Sequence, residues 1–329
     1  MSESSRVERA PGGLSVLLGL ALSSWWYPAL AQAQFPDLVD VSAQYLPGVA
    51  LAEPRPARAQ VASYEGTLNV PIVLGEHTFL IPGASYHSDA VSYARAPAGF
   101  TELRAFHSLE LSLLFVQLLP NDWSLSARLA PGLAADSPQL DTDQLRLSAL
   151  ALATRAFSDR LVLGAGGIAS YSFGTLLPLP AAYVEWKPLD GWRIEAFLPA
   201  FIDTRFSFWD RLEIGLRADV AGNAYAVRDE RIRSAWPCAA QPGVGSDPAA
   251  LPADPAQCFD HIAYSVAVVG LVAGVRLFGS VWWSALAGHS VLRRFDQRNA
   301  EDERVSGGLQ AMPDAPFVRT NLTWRIPRD

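Results

Sequence analysis

Much of the chain alternates apolar and polar residues in short stretches that end at tight polar turns. In residues 212–219, leucine, isoleucine, leucine and alanine at every second position oppose glutamate, glycine, arginine and aspartate. Residues 192–198, 201–208 and 318–326 repeat the pattern. Because successive side chains of a β-strand point to opposite faces, this period predicts strands with one apolar and one polar face.

About fourteen such strands follow one another between Asp37 and Ile326. Merging the two short pieces around Pro199 gives twelve as the alternative count. Single-chain bacterial barrels have an even number of strands, and a closed barrel is the β-structure that satisfies every backbone group in lipid. The sequence therefore predicts an all-β fold, a transmembrane antiparallel up-and-down β-barrel. A soluble periplasmic β-protein is the alternative.

Tryptophans recur beside the predicted turns. A tryptophan prefers the membrane interface because its ring is apolar while its N–H needs a polar partner. If these turns lie at one end of the barrel, the rings form an interfacial belt. The belt consists of Trp123, Trp186, Trp192, Trp209, Trp282, Trp283 and Trp324.

The first residues have the features of a secretory signal. Arginines precede an apolar run over residues 14–24, and small-x-small cleavage sites follow at residues 29–31 and 31–33. An uncleaved anchor helix is the alternative, which Pro28 and the shortness of the run disfavour. The expected organisation is a signal peptide over residues 1–33 and an outer-membrane barrel domain over residues 34–329.

Composition narrows the class of partner. The chain is 50% hydrophobic, and its 18% of charged residues is below the roughly 25% of soluble domains. A formal net charge of -7 argues against a nucleic-acid partner. We expect a bacterial outer-membrane location with membrane lipid as the partner, and the oligomeric state stays open.

Two cysteines, Cys238 and Cys258, lie in the Pro- and Ala-rich segment 228–260. In an exported protein we expect them to form a disulfide within one long outer loop. A disulfide that closes this loop would lower the conformational entropy of the unfolded chain and so stabilise the fold by roughly 3 kcal/mol. A metal site is not expected because only His261 lies nearby, and the sequence indicates no cofactor.

Several sequence segments in the middle of the chain resemble those of a known family. They are residues 123–132, 155–161, 177–180, 185–188 and 222–225. Together they resemble an uncharacterised Gram-negative outer-membrane β-barrel family, one of the domains of unknown function. The resemblance spans about residues 103–227. It implies a barrel at the outer membrane and supplies no activity or site.

Charged side chains of alternating sign gather on the polar face of neighbouring strands. Crossed salt bridges that stiffen the wall are one interpretation, and a transverse field that orients a polar solute is the other. The cluster consists of Glu185, Lys187, Arg193, Glu195, Asp203, Arg205, Glu213, Arg217 and Asp219.

The predicted function is porin-like or facilitated passage of a small solute. A structural or adhesion barrel with a plugged lumen is the alternative from another class. A lipid hydrolase at the rim is a third hypothesis, but Gly-x-Ser-x-Gly is absent from the sequence. His107 adjoins Ser108, and adjacent strand residues face opposite sides, so the two do not form a catalytic dyad. We therefore expect no enzyme and no catalytic residues.

Overall fold

Sixteen β-strands account for nearly all the regular structure of the described chain. In this computed structural model the described residues are 36–50, 58–94, 105–136, 144–172, 175–228, 260–299, 304–311 and 313–326. Within these ranges no helix has the length and apolarity needed to cross a membrane. The strands are β1 (Val39–Ala50), β2 (Arg58–Asn69), β3 (Ile72–Gly75), β4 (Thr78–Ala94), β5 (Ala105–Leu119), β6 (Trp123–Ala135), β7 (Leu145–Ser158), β8 (Leu161–Ser172), β9 (Thr175–Leu189), β10 (Trp192–Leu198), β11 (Phe201–Phe208), β12 (Leu212–Ala226), β13 (His261–Phe278), β14 (Val281–Arg298), β15 (Arg304–Ala311) and β16 (Pro316–Trp324).

Fourteen of these strands form the wall of a closed barrel, and the short strands β3 and β15 pair with β4 and β14 respectively. Wall neighbours are antiparallel. The ring closes where β1 pairs with β16, from Val39 opposite Trp324 to Tyr45 opposite Val318. The predicted fourteen-stranded up-and-down barrel is confirmed. The alternative of twelve is wrong because β10 and β11 pair with each other as separate strands on either side of Pro199. The predicted signal peptide, residues 1–33, lies outside the described residues.

The two ends of the barrel differ in their connections. At one end, the turn end, most of the described hairpins reverse within a few residues. Asn121 and Asp122 adopt positive φ angles of 60° and 61°, and Gly191 has a φ of 79°. Asparagine, aspartate and glycine tolerate this region best, which explains their use at these turns. The opposite end, the loop end, carries longer connections, including residues 227–260.

The outer face of the wall is apolar, as the alternation predicts. On β5, Leu109, Leu111 and Leu113 are exposed, with Leu111 at 59% of its full accessibility. Glu110 and Ser112, which lie between them, point to the opposite, inner face. The barrel therefore has the two-faced wall that a membrane environment requires.

The barrel narrows at its loop end. Ala135 at the end of β6 pairs in parallel with Ala226 at the end of β12, although five wall strands separate β6 from β12 below this level. The amide of Asp136 donates to the Ala226 carbonyl at 3.0 Å, and the amide of Arg228 donates to Asp136 Oδ1 at 2.8 Å. This contact leaves β7–β11 outside a smaller ring formed by the other nine wall strands.

The wall is also lower on one side. Strands β10 and β11 contain 7 and 8 residues, whereas β9 and β12 on either side contain 15 each. The pairing of β9 with β10 ends at Ala182, and that of β12 with β11 ends at Asp219. Among the described strands, residues 175–181 of β9 and 221–225 of β12 therefore have no partner on this side. We call this gap above the β10–β11 connection the wall notch.

Candidate functional site

A cavity of about 1810 Å³ occupies the lumen from the turn end to the middle of the barrel. The nine charged residues that the alternation assigned to the inner face all lie on its lining. They come from four consecutive strands, β9 to β12. They are Glu185, Lys187, Arg193, Glu195, Asp203, Arg205, Glu213, Arg217 and Asp219.

Arg205 is the best-connected member of this charge cluster. Its Nε and Nη2 donate to the two carboxylate oxygens of Asp203, both at 2.8 Å, and its Nη1 donates to Glu213 Oε2 at 3.0 Å. The Arg205 side chain keeps only 12% of its accessibility. Bidentate geometry of this kind makes the strongest charge-assisted hydrogen bonds, so Arg205 ties β11 to β12.

The network continues around the wall through shared carboxylates. Arg217 Nη1 donates to Asp203 Oδ2 at 3.1 Å, and Arg217 Nε donates to Asp219 Oδ1 at 3.0 Å. Arg319 of β16 donates to both oxygens of Asp219, and Arg325 donates to both oxygens of Glu213. The network thus reaches across the lumen to the last strand.

The outer members of the cluster are held more loosely. Arg193 Nη1 lies 3.6 Å from Glu195 Oε2, and Lys187 Nζ lies 3.3 Å from Glu185 Oε1. Arg193 and Lys187 are both more exposed than Arg205. These pairs border the open cavity, where exposed ion pairs contribute little to stability.

A second polar group lies on the opposite wall, and the sequence pattern did not single it out. Asp89 accepts a hydrogen bond from Ser63 Oγ at 2.5 Å, and His87 Nε2 lies 3.1 Å from Asp89 Oδ2. Beside them, Arg128 Nη2 donates to Glu110 Oε1 at 2.5 Å. Alternation places these residues on the inner face, but only the ring closure shows that they share one lumen with the first cluster.

A chain of hydrogen bonds crosses the lumen at the side of the cavity nearer the loop end. Arg146 of β7 donates to the side-chain oxygen of Asn223 on β12. Asn223 donates to the Tyr225 hydroxyl at 2.8 Å, and Tyr225 donates to Asp89 Oδ2 at 2.7 Å. This chain marks the boundary between the charged cavity and an apolar region nearer the loop end.

The lumen at the loop end is filled by a buried apolar cluster, which we call the plug. All its members come from the nine strands of the narrow ring or from the residue after β12, and none comes from β7–β11. Small barrels have interiors just wide enough for side chains to fill, which explains why the narrowed ring is packed. The plug consists of Leu46, Val61, Val91, Phe106, Ala134, Tyr225, Val227, Ile262, Tyr264, Val266, Val268, Val272, Leu286, Phe295 and Phe317.

The cavity lining carries more carboxylates than cationic side chains, thirteen against ten with histidine counted as neutral. Ten cationic groups are nonetheless enough to pair most of the carboxylates. Within the described ranges, no three histidine, cysteine or acidic side chains are arranged to hold a metal ion. The excess of negative charge favours cations in the cavity.

Six of the seven belt tryptophans are exposed near the turn end: Trp123, Trp186, Trp192, Trp209, Trp283 and Trp324. Trp282 is different and corrects the expectation. Its side chain is on the inner face of β14, where the Arg325 guanidinium lies 4.4 Å from the centre of its ring, whereas Trp192 also borders the cavity but is on the outer face of β10. Trp282 and Trp283 are consecutive strand residues, so only one of them can face outward.

The expected disulfide cannot be placed, because Cys238 and Cys258 lie outside the described residues. Asp260 is the first described residue after them. Arg228 Nη1 donates to Asp260 Oδ1 at 2.9 Å. A hydrogen bond with His261, together with the charge of Arg228, holds the pKa of Asp260 below its usual range. The ion pair between Arg228 and Asp260 thus links the residue before β13 to the end of β12.

One family model matches the chain. Residues 99–236 match the family described as "Domain of unknown function (DUF6268)". The match begins before β5, ends beyond β12 and confirms the predicted resemblance to a family of unknown function. No curated protein matches the chain.

Several solved structures are similar to the chain at low sequence identity. The TodX deltaS2S3 mutant monoaromatic hydrocarbon channel has 10% identity and a TM-score of 0.47, with 93% of this chain and 94% of that chain covered. The translocator domain of autotransporter NalP from Neisseria meningitidis has 10% identity and a TM-score of 0.33, with 95% and 96% covered. LpxR from Salmonella typhimurium has 8% identity and a TM-score of 0.34, with 88% and 100% covered.

Proposed function

We propose that this closed barrel lies in the bacterial outer membrane and passes a small solute, preferably a cation, through its charged lumen. The observation that carries the proposal is the cavity of about 1810 Å³ at the turn end, with its excess of carboxylates. Rings of acidic side chains are the usual means by which pores favour cations. Membrane lipid and the solute are the proposed partners, and no lumen side chain is given a catalytic role.

The apolar outer face supports the membrane location. Its exposed leucines and the tryptophans near the turn end match the apolar band and aromatic girdle of a transmembrane barrel. The location can be tested by fractionating cells and detecting the chain in outer-membrane vesicles. Recovery in the soluble periplasmic fraction would contradict it.

The plug favours a second candidate function. A lumen sealed at the loop end would suit a structural or adhesion barrel whose outer loops carry the function. The two candidates differ in one measurable property. The structural barrel transports nothing in either direction, whereas the proposed transporter gives a solute access to the cavity.

The transport proposal predicts charge selectivity. In liposomes containing the purified barrel, we expect faster uptake of an organic ammonium ion than of an organic sulfonate of similar size. The physical reason is the excess of carboxylates on the lining. Protein-free liposomes give the background rate. Equal rates would argue against a charge-selective lumen, and no uptake of either ion would favour the structural barrel.

The membrane location also predicts an asymmetric effect of charge on β5. We expect Leu111→Arg to lower the free energy of unfolding by about 2–4 kcal/mol, because the arginine would face hydrocarbon near the bilayer midplane. Ser112→Arg is the matched control, since its side chain points into the lumen. Urea unfolding of both variants in lipid vesicles measures the difference. Equal losses would show that the outer face of β5 does not contact lipid.

A further inference from the structure

The wall notch lies at a level where a membrane barrel normally has a complete wall. A tilted strand needs about 9–11 residues to cross the hydrocarbon core. Strands β10 and β11 have only 7 and 8 residues; β10 begins at the turn end and β11 ends there. The wall on this side therefore stops short of the full thickness of the bilayer, while β9 and β12 continue above it.

The backbone edges beside the notch are adapted to this gap. Unpaired backbone groups are not tolerated in contact with lipid, but they are tolerated where they line a water-filled cavity. On the edge of β9, Pro178 and Pro180 have no N–H to leave unpaired. Both prolines pair with β8, and their positions fit a strand edge that has no neighbour on its other side, which is where prolines occur in sheets.

The cavity reaches the β12 side of the notch. Ala200, Val220, Ala221 and Gly222 all lie on the cavity lining. Val220 and Gly222 alternate with the inward-facing Asp219 and Asn223, so their own positions are on the outer face of β12. The cavity therefore extends to the edge of β12 that borders the notch.

Part of the inner face beside the notch is apolar, although its residues are not on the lining of the cavity itself. On β7, β8 and β9, the inward positions Leu150, Ile168 and Leu179 are cross-strand neighbours, and Leu177 lies above them. None of these four belongs to the plug. Leu177 and Leu179 keep 54% and 38% of their accessibility although they face inward. This surface would hold an apolar chain next to the charged cavity.

We infer that the wall notch is a lateral entrance to the lumen for a single-tailed amphiphile with a cationic head group. The apolar tail lies along Leu177 and Leu179, and the head group enters the cavity, where carboxylates are in excess. Among the described residues, the plug occupies the direct route to the loop end, and the notch is the opening in the wall on that side. This inference rests on the proposed function and names its substrate class.

The test uses the full mature chain in liposomes with a negative interior potential. The probes are radiolabelled hexyltrimethylammonium and tetramethylammonium, which share a head group and differ in the tail. We expect the native barrel to take up the hexyl compound faster, after subtraction of protein-free liposomes. Val220→Trp and, separately, Leu177→Trp should slow hexyl uptake by about fivefold or more, because each places an indole in the entrance.

Leu216→Trp is the matched control. Leu216 lies on the outer face of the same strand as Val220, with a similar exposure of 52% against 57%, but it is absent from the cavity lining. The Leu216→Trp barrel should take up the hexyl compound at a rate within about twofold of the native rate, because its indole does not enter the lumen. Heat-dependent migration on gels confirms that each variant is folded.

The possible results distinguish the lateral entrance from solute passage through the barrel. Uptake that neither Val220→Trp nor Leu177→Trp slows would overturn the lateral entrance and leave solute passage standing. Faster uptake of tetramethylammonium than of the hexyl compound would overturn the amphiphile as substrate. No uptake of either cation by the native barrel would overturn the proposed function, and the entrance with it.

Discussion

Arg205→Ala is expected to lower the free energy of unfolding by about 3–5 kcal/mol, because it leaves two nearly buried carboxylates without their main partner. Arg205 makes two hydrogen bonds to Asp203 and one to Glu213. Both carboxylates are buried. Arg217 and Arg325 remain in contact with them, which places the expected loss nearer the lower end of the range. Urea unfolding in vesicles, followed by tryptophan fluorescence, measures the effect.

Arg193→Ala is the control for this prediction. Arg193 also lines the cavity, but its nearest carboxylate contact is longer, at 3.6 Å, and both partners are more exposed. We expect a loss of only about 0–1 kcal/mol, as for other solvated ion pairs. The same variant should shift selectivity further towards cations, because it removes one positive charge from the lining. Equal losses in the two variants would mean that water screens the whole network.

Phe106→Ala is the second change with a large expected effect. Phe106 is 1% exposed within the plug, and its ring stacks on that of Tyr225 at a centroid distance of 5.1 Å. Removing a buried phenylalanine from a packed interior costs about 3–5 kcal/mol, because the cavity left behind collapses only partly. We expect urea unfolding in vesicles to show this loss and planar-bilayer recordings to show a higher ion conductance than the native barrel.

Phe278→Ala serves as the comparison. Phe278 is highly exposed at the turn end of β13 and packs in no interior cluster of the described residues. Its replacement should leave the conductance unchanged and cost much less stability. If Phe106→Ala also left the conductance unchanged, the seal at the loop end would have to depend on other residues.

Period-two alternation was sufficient to predict the wall. The alternating segments correspond to observed strands such as Leu212–Ala226. The turn residues Asn121, Asp122 and Gly191 mark where strands end. The same alternation assigned nine charged residues to the polar face, and all nine lie on the cavity lining. Where two tryptophans are adjacent, as at Trp282 and Trp283, the belt interpretation failed for one of them because the two cannot face the same way.

Contacts between distant strands had no signal in the sequence. Ala135 and Ala226 are ordinary strand residues, and nothing local indicates that they pair. The partners of Asp219 and Glu213 on the last strand follow only from the closure of the ring. The plug was missed for a related reason. Between Val268 and Val272 both faces of β13 are apolar, so inward-facing valines could not be distinguished from lipid-facing ones.

The shortness of β10 and β11 has a consequence for the surrounding lipid as well as for the lumen. Placed in a bilayer, this side offers less apolar height than the side formed by β13 and β14, which have 18 residues each. Lipid responds to such a mismatch by thinning locally, at a cost of a fraction of a kcal/mol per Å. The thinned patch would lie directly beside the wall notch, so the tails there are the most compressed and disordered around the barrel. Two barrels that placed their short sides together would share one thinned patch, which gives them a preferred mutual orientation without any direct contact.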